Sequence, residues 1–306
     1  MRRFLTLICG LTLAVAATAP AWAGYLTVTD TTHKRLMLFN QQDGSLVNAS
    51  YLAMSAQGMG NPIAAQIVAA NEFWVTDKSN DQILRYQLDN NAYLGAISNA
   101  NIVSPMGMEV SGNTVWVANA SSSLHKVAVL SASSHTVTGS FNAGSTGTGI
   151  PFDVQLYNPA GTTYLLVGNQ TGNYIDLFTT AGVYSRLFHH STGSGDFTQP
   201  QQISVTASNS VLVAGSTSPN GVYEYDNTGT MIHSWTRSTG VRGVYELGNG
   251  NIIFTDTNGV HIINRANGTV SDAYTGIGAN YIEMFTPEPA SLGLLAIVAC
   301  AALRRR

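Results

Sequence analysis

The chain has 306 residues, of which 10 % are charged, 44 % are hydrophobic and 30 are glycines. Its length is sufficient for a large core, and few charges with many small polar residues suit a β-protein with tight turns. Five of the 14 basic residues lie near the two ends, so residues 24–285 carry nine basic and sixteen acidic side chains, which argues against nucleic-acid binding.

The first 23 residues have the three parts of a secretory signal peptide. A positively charged start precedes an apolar run over residues 4–17, and Ala21 and Ala23 frame a small-residue cleavage site. We therefore predict export, with Gly24 as the first mature residue. A retained membrane helix is the alternative, but the apolar run is short for a bilayer span.

An apolar triplet recurs six times between residues 24 and 285. The triplets are Leu26-Thr27-Val28, Phe73-Trp74-Val75, Val115-Trp116-Val117, Leu165-Leu166-Val167, Val211-Leu212-Val213 and Ile252-Ile253-Phe254. Their spacing lies in the forties up to fifty residues, and several short strands fit into each repeat. This period is typical of a β-propeller blade. Helical repeats fit poorly, because no segment of this region keeps a 3.6-residue apolar period.

A short polar residue or a glycine follows each triplet at a fixed distance. These residues are Asp30, Asp77, Asn119, Asn169, Gly215 and Asp256. A carboxylate or amide oxygen can accept a hydrogen bond from the backbone two residues further on. We interpret the repeated Asp and Asn as turn residues rather than as functional groups.

Six further strands lie between the triplets, and each is predicted to be the innermost strand of the blade that follows it. They span residues 64–68, 106–110, 152–156, 201–205, 242–247 and 280–284. The last of them has no triplet after it, and the first triplet has no such strand before it. We therefore expect residues 280–284 to pair with residues 25–28, which closes a ring of six blades and covers the open strand edges.

The blades resemble those of NHL-type and YVTN-type propellers. In these families an apolar strand ends in Asp, and a second strand leads to an Asp-Gly or Asn-Gly turn. Asp30 with Asp43-Gly44 follows this pattern, and so does Asn267-Gly268, whereas Gly215 replaces the Asp and residues 118–138 lack the Gly turn. The resemblance implies an all-β, six-bladed β-propeller over residues 24–285 and leaves the function open.

Aligning the inner strands places a polar side chain at the same position in five of the six. The aligned residues are Ile67, Glu109, Gln155, Ser204, Glu246 and Glu283, and Asp153 lies two residues before Gln155 on the same face. Because inner strands line the central channel, we predict that Glu109, Asp153, Glu246 and Glu283 converge there. Carboxylate oxygens suit Ca²⁺. Solvated acids in a wet channel are the alternative.

The acid pattern loosely resembles that of gluconolactonase-type enzymes, which are six-bladed and hold a metal at this place. That resemblance implies an alternative function, a metal-dependent lactonase or lyase. Against it, the sequence contains no G-x-S-x-G elbow, phosphate loop, H-E-x-x-H helix or C-x-x-C pair. Apart from a channel Ca²⁺, the sequence predicts no cofactor.

The last 21 residues have a composition unlike the rest of the chain. They comprise Pro287, Glu288 and Pro289, an apolar stretch over residues 290–303, and the terminal Arg304, Arg305 and Arg306. As a helix with a rise of about 1.5 Å per residue, the apolar stretch would extend roughly 21 Å, less than the ~30 Å hydrocarbon core of a bilayer. An ordinary stop-transfer anchor is one interpretation of this segment.

The order of these three parts resembles the PEP-CTERM sorting signal of Gram-negative bacteria. The resemblance implies that an exosortase, a membrane-embedded cysteine protease, processes the tail after membrane contact through the short helix. It further implies export to the cell surface, the outer membrane or an extracellular polysaccharide matrix. We therefore expect a surface protein that binds a polysaccharide or a protein partner through loops at residues 53–61, 141–150 and 189–200.

Overall fold

The computed structural model describes residues 24–144, 148–193 and 195–285, which form six four-stranded antiparallel sheets. The predicted signal peptide at 1–23 and the predicted sorting tail at 286–306 lie outside the described residues. No helix in the described part of the chain reaches the length and apolar character that a bilayer span needs.

Twenty-four strands and two short 3₁₀ helices, at Ser55–Gln57 and Lys78–Asn80, make up the regular structure of this part of the chain. The strands are β1 (Tyr25–Asp30), β2 (Arg35–Asn40), β3 (Leu46–Ala53), β4 (Pro62–Ala69), β5 (Glu72–Asp77), β6 (Gln82–Gln87), β7 (Tyr93–Ser98), β8 (Pro105–Ser111), β9 (Thr114–Asn119), β10 (Lys126–Ser131), β11 (Thr136–Asn142), β12 (Pro151–Tyr157), β13 (Tyr164–Asn169), β14 (Tyr174–Thr179), β15 (Tyr184–His190), β16 (Thr198–Val205), β17 (Val211–Thr217), β18 (Asn220–Tyr225), β19 (Met231–Arg237), β20 (Gly243–Glu246), β21 (Ile252–Thr255), β22 (Gly259–Ile263), β23 (Val270–Thr275) and β24 (Ala279–Phe285).

Each sheet is one blade, and in blades 2 to 6 the strands follow one another along the chain from the centre outwards. Blade 1 has the order β24-β1-β2-β3, and blades 2 to 6 each consist of four consecutive strands, beginning with β4, β8, β12, β16 and β20. The six-bladed propeller and its predicted innermost strands are thereby confirmed.

The last strand of the body completes the first blade, as predicted from the pairing of residues 280–284 with residues 25–28. Tyr25 lies opposite Phe285, Leu26 opposite Met284, and Thr27 opposite Glu283 in an antiparallel ladder between β1 and β24. This pairing covers the edge of β1 and links the two ends of the body through backbone hydrogen bonds.

Six apolar clusters fill the spaces between neighbouring blades. Between blades 1 and 2, the ring of Phe73 packs against Tyr86 and Phe285 with centroid distances of 5.4 and 5.3 Å. Trp74 and Trp116, the central residues of two triplets, are buried in the next two clusters. The alternation of the triplets thus turns the central side chain towards one neighbouring blade and the two outer side chains towards the other.

The repeated Asp has two structural roles. Asp30 accepts a hydrogen bond from the backbone N–H of Thr32 at 2.9 Å, which is the predicted turn interaction. Asp77 instead accepts from the backbone N–H groups of Gly60 and Asn61 at 2.9 and 2.8 Å. It therefore fixes the loop that leads into the inner strand of its own blade.

A chain that ends at Gly278 is expected to be much less stable, because β1 would expose its edge and blade 1 would lack its inner strand. A chain that ends at Phe285 retains β24 and is the matched control. In thermal unfolding followed by circular dichroism, we expect the shorter chain to melt more than about 10 °C below the control, as a loss of several kcal/mol predicts. Equal melting temperatures would show that ring closure contributes little.

Candidate functional site

The six inner strands line a central channel and run in the same direction. A cavity of about 530 Å³ at one end is bordered by residues near the strand starts, such as Ile63 and Met106. A cavity of about 350 Å³ at the other end is bordered by residues near the strand ends, such as Val110 and Glu283. We call the face of the propeller at which the inner strands start the upper face, and its cavity the upper cavity. The opposite face and its cavity are the lower face and the lower cavity.

A cluster of buried side chains separates the two cavities. It consists of Ile63, Ala64, Met106, Phe152 and Tyr281. The hydroxyl of Tyr281 donates a hydrogen bond to the carbonyl oxygen of Phe152 at 3.1 Å. Because the Tyr281 ring is fully buried in the middle of the ring of strands, each cavity is a separate site.

Three of the four acids predicted for the channel come together near the lower cavity. Glu109, Asp153 and Glu283 are all buried. Burial raises the pKa of Glu109 to about 7. Burial, and then the charge of Asp153, raises the pKa of Glu283, while burial and the charge of Glu109 raise that of Asp153. The convergence predicted for these three residues is therefore present.

Glu246, the fourth acid, lies elsewhere. In blade 6, Tyr245 lies opposite Ile253, the central residue of its triplet, so the predicted alignment is one residue out of register. A shift of one residue turns a side chain to the opposite face of a strand. Glu246 accepts a hydrogen bond from the backbone N–H of Ala207 at 2.8 Å and pairs with Arg265 at 2.5 Å.

Glutamine amides, which the sequence analysis did not single out as site residues, occupy the space between the acids. Gln66 and Gln202 donate to the two carboxylate oxygens of Glu283 at 2.9 and 3.2 Å. Gln155 donates to Glu109. These bonds form two groups, one around Glu283 and one around Glu109, and each joins side chains of different blades at the lower end of the channel.

The same acids also bind the backbone of the neighbouring blade. The N–H of Leu156 donates to Glu109 at 3.1 Å, and the N–H of Ile203 donates to Asp153 at 2.7 Å. These N–H groups lie on the channel side of inner strands, where no further strand can pair with them. Glu109 therefore joins blade 3 to blade 4, and Asp153 joins blade 4 to blade 5.

In this arrangement the acids offer few free oxygens to a cation. N–H groups already point at oxygens of Glu109, Asp153 and Glu283. Within residues 24–144, 148–193 and 195–285, no group of three or more His, Cys, Asp or Glu side chains is arranged to hold a metal ion. A channel Ca²⁺ stays a prediction that rests on the sequence pattern.

The upper cavity contains a pair of cations that the sequence analysis did not identify. Lys78 and Arg242 both border it, and no acidic residue is among its lining residues. The ammonium group of Lys78 lies 5.4 Å from the ring centroid of Phe152. Arg242 donates to the amide oxygen of Asn280 at 3.2 Å. The two ends of the channel thus differ in their ionisable groups, since the acids Glu109 and Glu283 border the lower cavity.

No protein-family model matches the sequence, and no curated protein matches it. Solved structures share its fold. A chain in a crystal structure of a nidogen/laminin complex is 16 % identical, with a TM-score of 0.69, over 87 % of this chain and 99 % of that chain. Virginiamycin B lyase from Staphylococcus aureus is 14 % identical, with a TM-score of 0.57, over 83 % of this chain and 85 % of the lyase.

Two further structures show the same likeness. A protein of unknown function from Bacteroides caccae is 11 % identical, with a TM-score of 0.60, over 86 % of this chain and 99 % of that chain. Hydrazine synthase from Kuenenia stuttgartiensis is 16 % identical, with a TM-score of 0.53, over 69 % of this chain, and the match spans 65 % of that chain. At these identities the likeness concerns the fold and leaves the function open.

The raised pKa of Glu109 predicts that stability falls as pH rises. The folded state holds this proton more tightly than the unfolded state, so stability decreases from the ordinary pKa of 4.5 through about 7 and stays lower above it. Deprotonation of Glu109 is expected to lower the free energy of unfolding by on the order of 3 kcal/mol. We expect the melting temperature to decrease between about pH 5 and about pH 8, and Glu109→Gln to weaken this decrease. Asp89→Asn, at an exposed turn, is the control.

The same melts test the predicted channel cation. If Ca²⁺ binds Glu109 and Glu283, adding it should raise the melting temperature near pH 8, and Glu109→Gln should remove the gain. Melting temperatures that respond neither to Ca²⁺ nor to EDTA would eliminate the cation site. A stability that is independent of pH in the wild type would contradict the proton-binding role of Glu109.

Proposed function

We propose that this protein is an exported surface or matrix protein that binds a polysaccharide at its upper face without catalysing a reaction. The observation that carries the proposal is the upper cavity of about 530 Å³, whose wall is rich in amide and hydroxyl side chains. These include Asn61, Gln170, Gln201, Ser216, Thr257 and Asn280. A surface protein is the alternative partner.

Amide and hydroxyl groups are suited to sugar rings because each can both donate and accept hydrogen bonds. Neighbouring hydroxyls on a sugar offer the same mixed pattern. The ring of Phe152 adds an apolar surface at the floor of the cavity, where it belongs to the buried cluster. A pocket with a few directed polar groups over an apolar floor is the usual form of a small-ligand site.

The position of the loops predicted to bind a partner also favours binding at the upper face. Residues 53–61, 141–150 and 189–200 each lead from the outer strand of one blade to the inner strand of the next. Because every inner strand begins at the upper face, the described residues that directly precede β4, β12 and β16 lie at that face, and Asn61 lines the upper cavity. Connecting loops on a rigid scaffold are a common location for binding residues.

An enzyme of the lactonase or lyase type remains the second interpretation, and the lower cavity is the place for it. Its acids are engaged in bonds between blades, which favours a structural role over general acid or base chemistry. The likeness to virginiamycin B lyase extends to the fold alone at 14 % identity. The Ca²⁺ and EDTA melts described above separate the two interpretations.

Export is proposed on the sequence pattern of the two ends. The signal-peptide pattern with Ala21 and Ala23 directs the chain across the inner membrane. The Pro-Glu-Pro motif, the apolar stretch and the terminal arginines would bring it to an exosortase. The proposed destination is the cell surface or the extracellular polysaccharide matrix of a Gram-negative bacterium, where a polysaccharide partner is at hand.

Blocking the upper face should prevent polysaccharide binding. Thr257 is exposed at the rim of the upper cavity, and residues 24–285 contain no cysteine. In a Cys300→Ser background, Thr257→Cys can therefore carry a bulky maleimide–polyethylene glycol label. We expect the labelled protein to cosediment with the host exopolysaccharide at least about tenfold more weakly, equivalent to about 1.4 kcal/mol.

Ser208→Cys, in the exposed turn between β16 and β17 at the lower face, is the matched control and should bind normally when labelled. Loss of binding from the Ser208 label alone would place the partner at the lower face. If the unlabelled protein retains no matrix component, the binding proposal fails. If it retains a surface protein and no polysaccharide, the partner is the protein.

Replacing Pro287, Glu288 and Pro289 with alanine should stop processing of the tail. In a Gram-negative host with an exosortase, we expect this variant to accumulate in the inner-membrane fraction at its unprocessed size, because the recognised motif is absent. Ser291→Ala, in the same tail, is the control and should be sorted like the wild type. Fractionation with immunoblotting measures both, and normal sorting of the triple variant would refute the sorting proposal.

A further inference from the structure

We infer that the upper cavity binds an oxyanion between Lys78 and Arg242, so that the ligand of the upper face is an acidic saccharide. This inference rests on the proposed function and names the chemistry of its ligand. A carboxylate of a uronic acid and a sulfate ester share the required oxyanion chemistry, and the experiment below distinguishes them.

Of the other half-buried arginines that the structure describes, Arg237 lies 5.3 Å from the ring centroid of Phe254 and forms no ion pair, whereas three are neutralised by carboxylates. These pairs are Arg35 with Asp30 at 2.7 Å, Arg85 with Glu72 at 2.6 Å and Arg265 with Glu246 at 2.5 Å. In contrast, neither Lys78 nor Arg242 forms an ion pair with any residue that the structure describes. Two cations of the upper cavity therefore have charges that the protein itself does not balance by contact.

Two carboxylates associated with these cations are bound to other groups. Asp77, the neighbour of Lys78 in sequence, accepts hydrogen bonds from the loop at Asn61 at 2.8 Å. Asp256, whose charge acts on the arginine, accepts from the backbone of Asn258 at 2.7 Å and from the hydroxyl of Thr239. Both acids are fixed by turns, so neither is available to close over the cavity.

Burial and mutual proximity make the two positive charges of Lys78 and Arg242 unfavourable in the protein without a ligand. Burial lowers the pKa of Lys78, and the nearby charge of Arg242 lowers it further. Burial likewise lowers the pKa of Arg242. Two like charges in one partly desolvated cavity repel each other. An anion between them would relieve the repulsion, which is why this arrangement favours a negatively charged ligand.

The remaining donors match an oxyanion that is flanked by hydroxyls. Arg242 uses one amino group for Asn280, which orients the guanidinium and leaves further N–H groups for a planar or tetrahedral oxyanion. The ammonium of Lys78 adds a point charge that is held over the Phe152 ring. The amides of Asn61 and Gln170 line the same cavity and can bind adjacent hydroxyls.

The net charge of the body makes this positive cavity selective. Residues 24–285 carry nine basic and sixteen acidic side chains, so most of the surface repels an acidic polymer. The upper cavity offers two uncompensated positive charges at one point. We therefore expect contact with an acidic saccharide to be confined to this cavity and to weaken as salt screens the charges.

Isothermal titration of the exported protein with an oligogalacturonide, its neutral galactose counterpart and inorganic sulfate tests the inference. We expect the acidic oligosaccharide to bind at least about tenfold more tightly than the neutral one, in line with charge-assisted hydrogen bonds. Competition by sulfate would identify the oxyanion as the recognised group. Binding of sulfate with no gain from the sugar would assign the site to a sulfate ester or a free anion.

Lys78→Met and Arg242→Gln should each weaken binding of the oligogalacturonide by about tenfold or more. Arg186→Gln, on the exposed outer strand β15, removes the same charge away from the cavity and should have no effect. Because Lys78→Met also removes the repulsion, the unliganded variant should melt at the wild-type temperature or above it. A purely structural lysine would instead give a lower melting temperature with unchanged binding.

The results separate this inference from the proposed function. If both cavity variants bind the acidic oligosaccharide like the wild type, the oxyanion site is refuted. If the wild type binds only the neutral oligosaccharide and the Thr257 label blocks that binding, the upper face still binds a saccharide and only its acidic character is refuted. If no saccharide binds at all, both proposals fail together.

Discussion

The structure depends on how the inner edges of the six blades satisfy their backbone hydrogen bonds. An inner strand pairs with its neighbour on one side only, and its other edge faces the channel with no strand to pair with. Side chains bind these edges at all six blade junctions. The bonds are Thr29 to the Ile63 carbonyl at 2.7 Å, Thr76 to the Met106 carbonyl at 2.8 Å, the Leu156 N–H to Glu109 at 3.1 Å, the Ile203 N–H to Asp153 at 2.7 Å, the Val244 N–H to Gln202 at 3.0 Å, and Thr255 to the Asn280 carbonyl.

This requirement explains why acidic residues are tolerated in a buried channel. A buried carboxylate without partners is strongly unfavourable, but Glu109 and Asp153 accept hydrogen bonds that the backbone would otherwise lack. The benefit is mutual, since removing either acid would leave an N–H group unsatisfied. The hydrogen-bonding needs of the inner strands therefore explain the acids of the lower cavity. In contrast, the side chains of Lys78 and Arg242 bind no such backbone edge of a neighbouring blade, and their charges are not compensated by an ion pair among the described residues.

The sequence predicted the propeller well because its signals are local and repeated. The triplets indicate strands, and the Asp and Asn residues indicate turns. The pairing of β1 with β24 then follows, because each would otherwise have an unpaired edge. The site was predicted less well because it depends on register. Irregular pairing in β4 places Gln66, not Ile67, opposite Trp74. In blade 6 the strand ends at Glu246, and Leu247, the last residue of the predicted strand 242–247, belongs to the following turn.

The basic pair escaped the sequence analysis for a related reason. Lys78 follows the second strand of blade 2, and Arg242 precedes the inner strand of blade 6, so no common position in the repeat connects them. The end of a second strand lies beside the start of the inner strand in a single blade, as Asp77 lies opposite Pro62, but only the closed ring brings blades 2 and 6 to one cavity. Comparing charges at these two positions across the blades, rather than along the inner strands alone, would have marked the upper cavity.

The basic groups of the upper cavity and the acidic surface of the body together have a physical consequence for ligand binding. Beyond roughly 8 Å, physiological salt screens most of the field, so the cavity cannot steer a distant polymer against the acidic surface of the body. Selection must therefore occur at contact, where the partly desolvated Lys78 and Arg242 interact strongly with an oxyanion. The buried cluster around Tyr281 keeps such an anion apart from Glu109 and Glu283, and so lets one narrow channel hold an acidic framework at one end and a proposed anion site at the other.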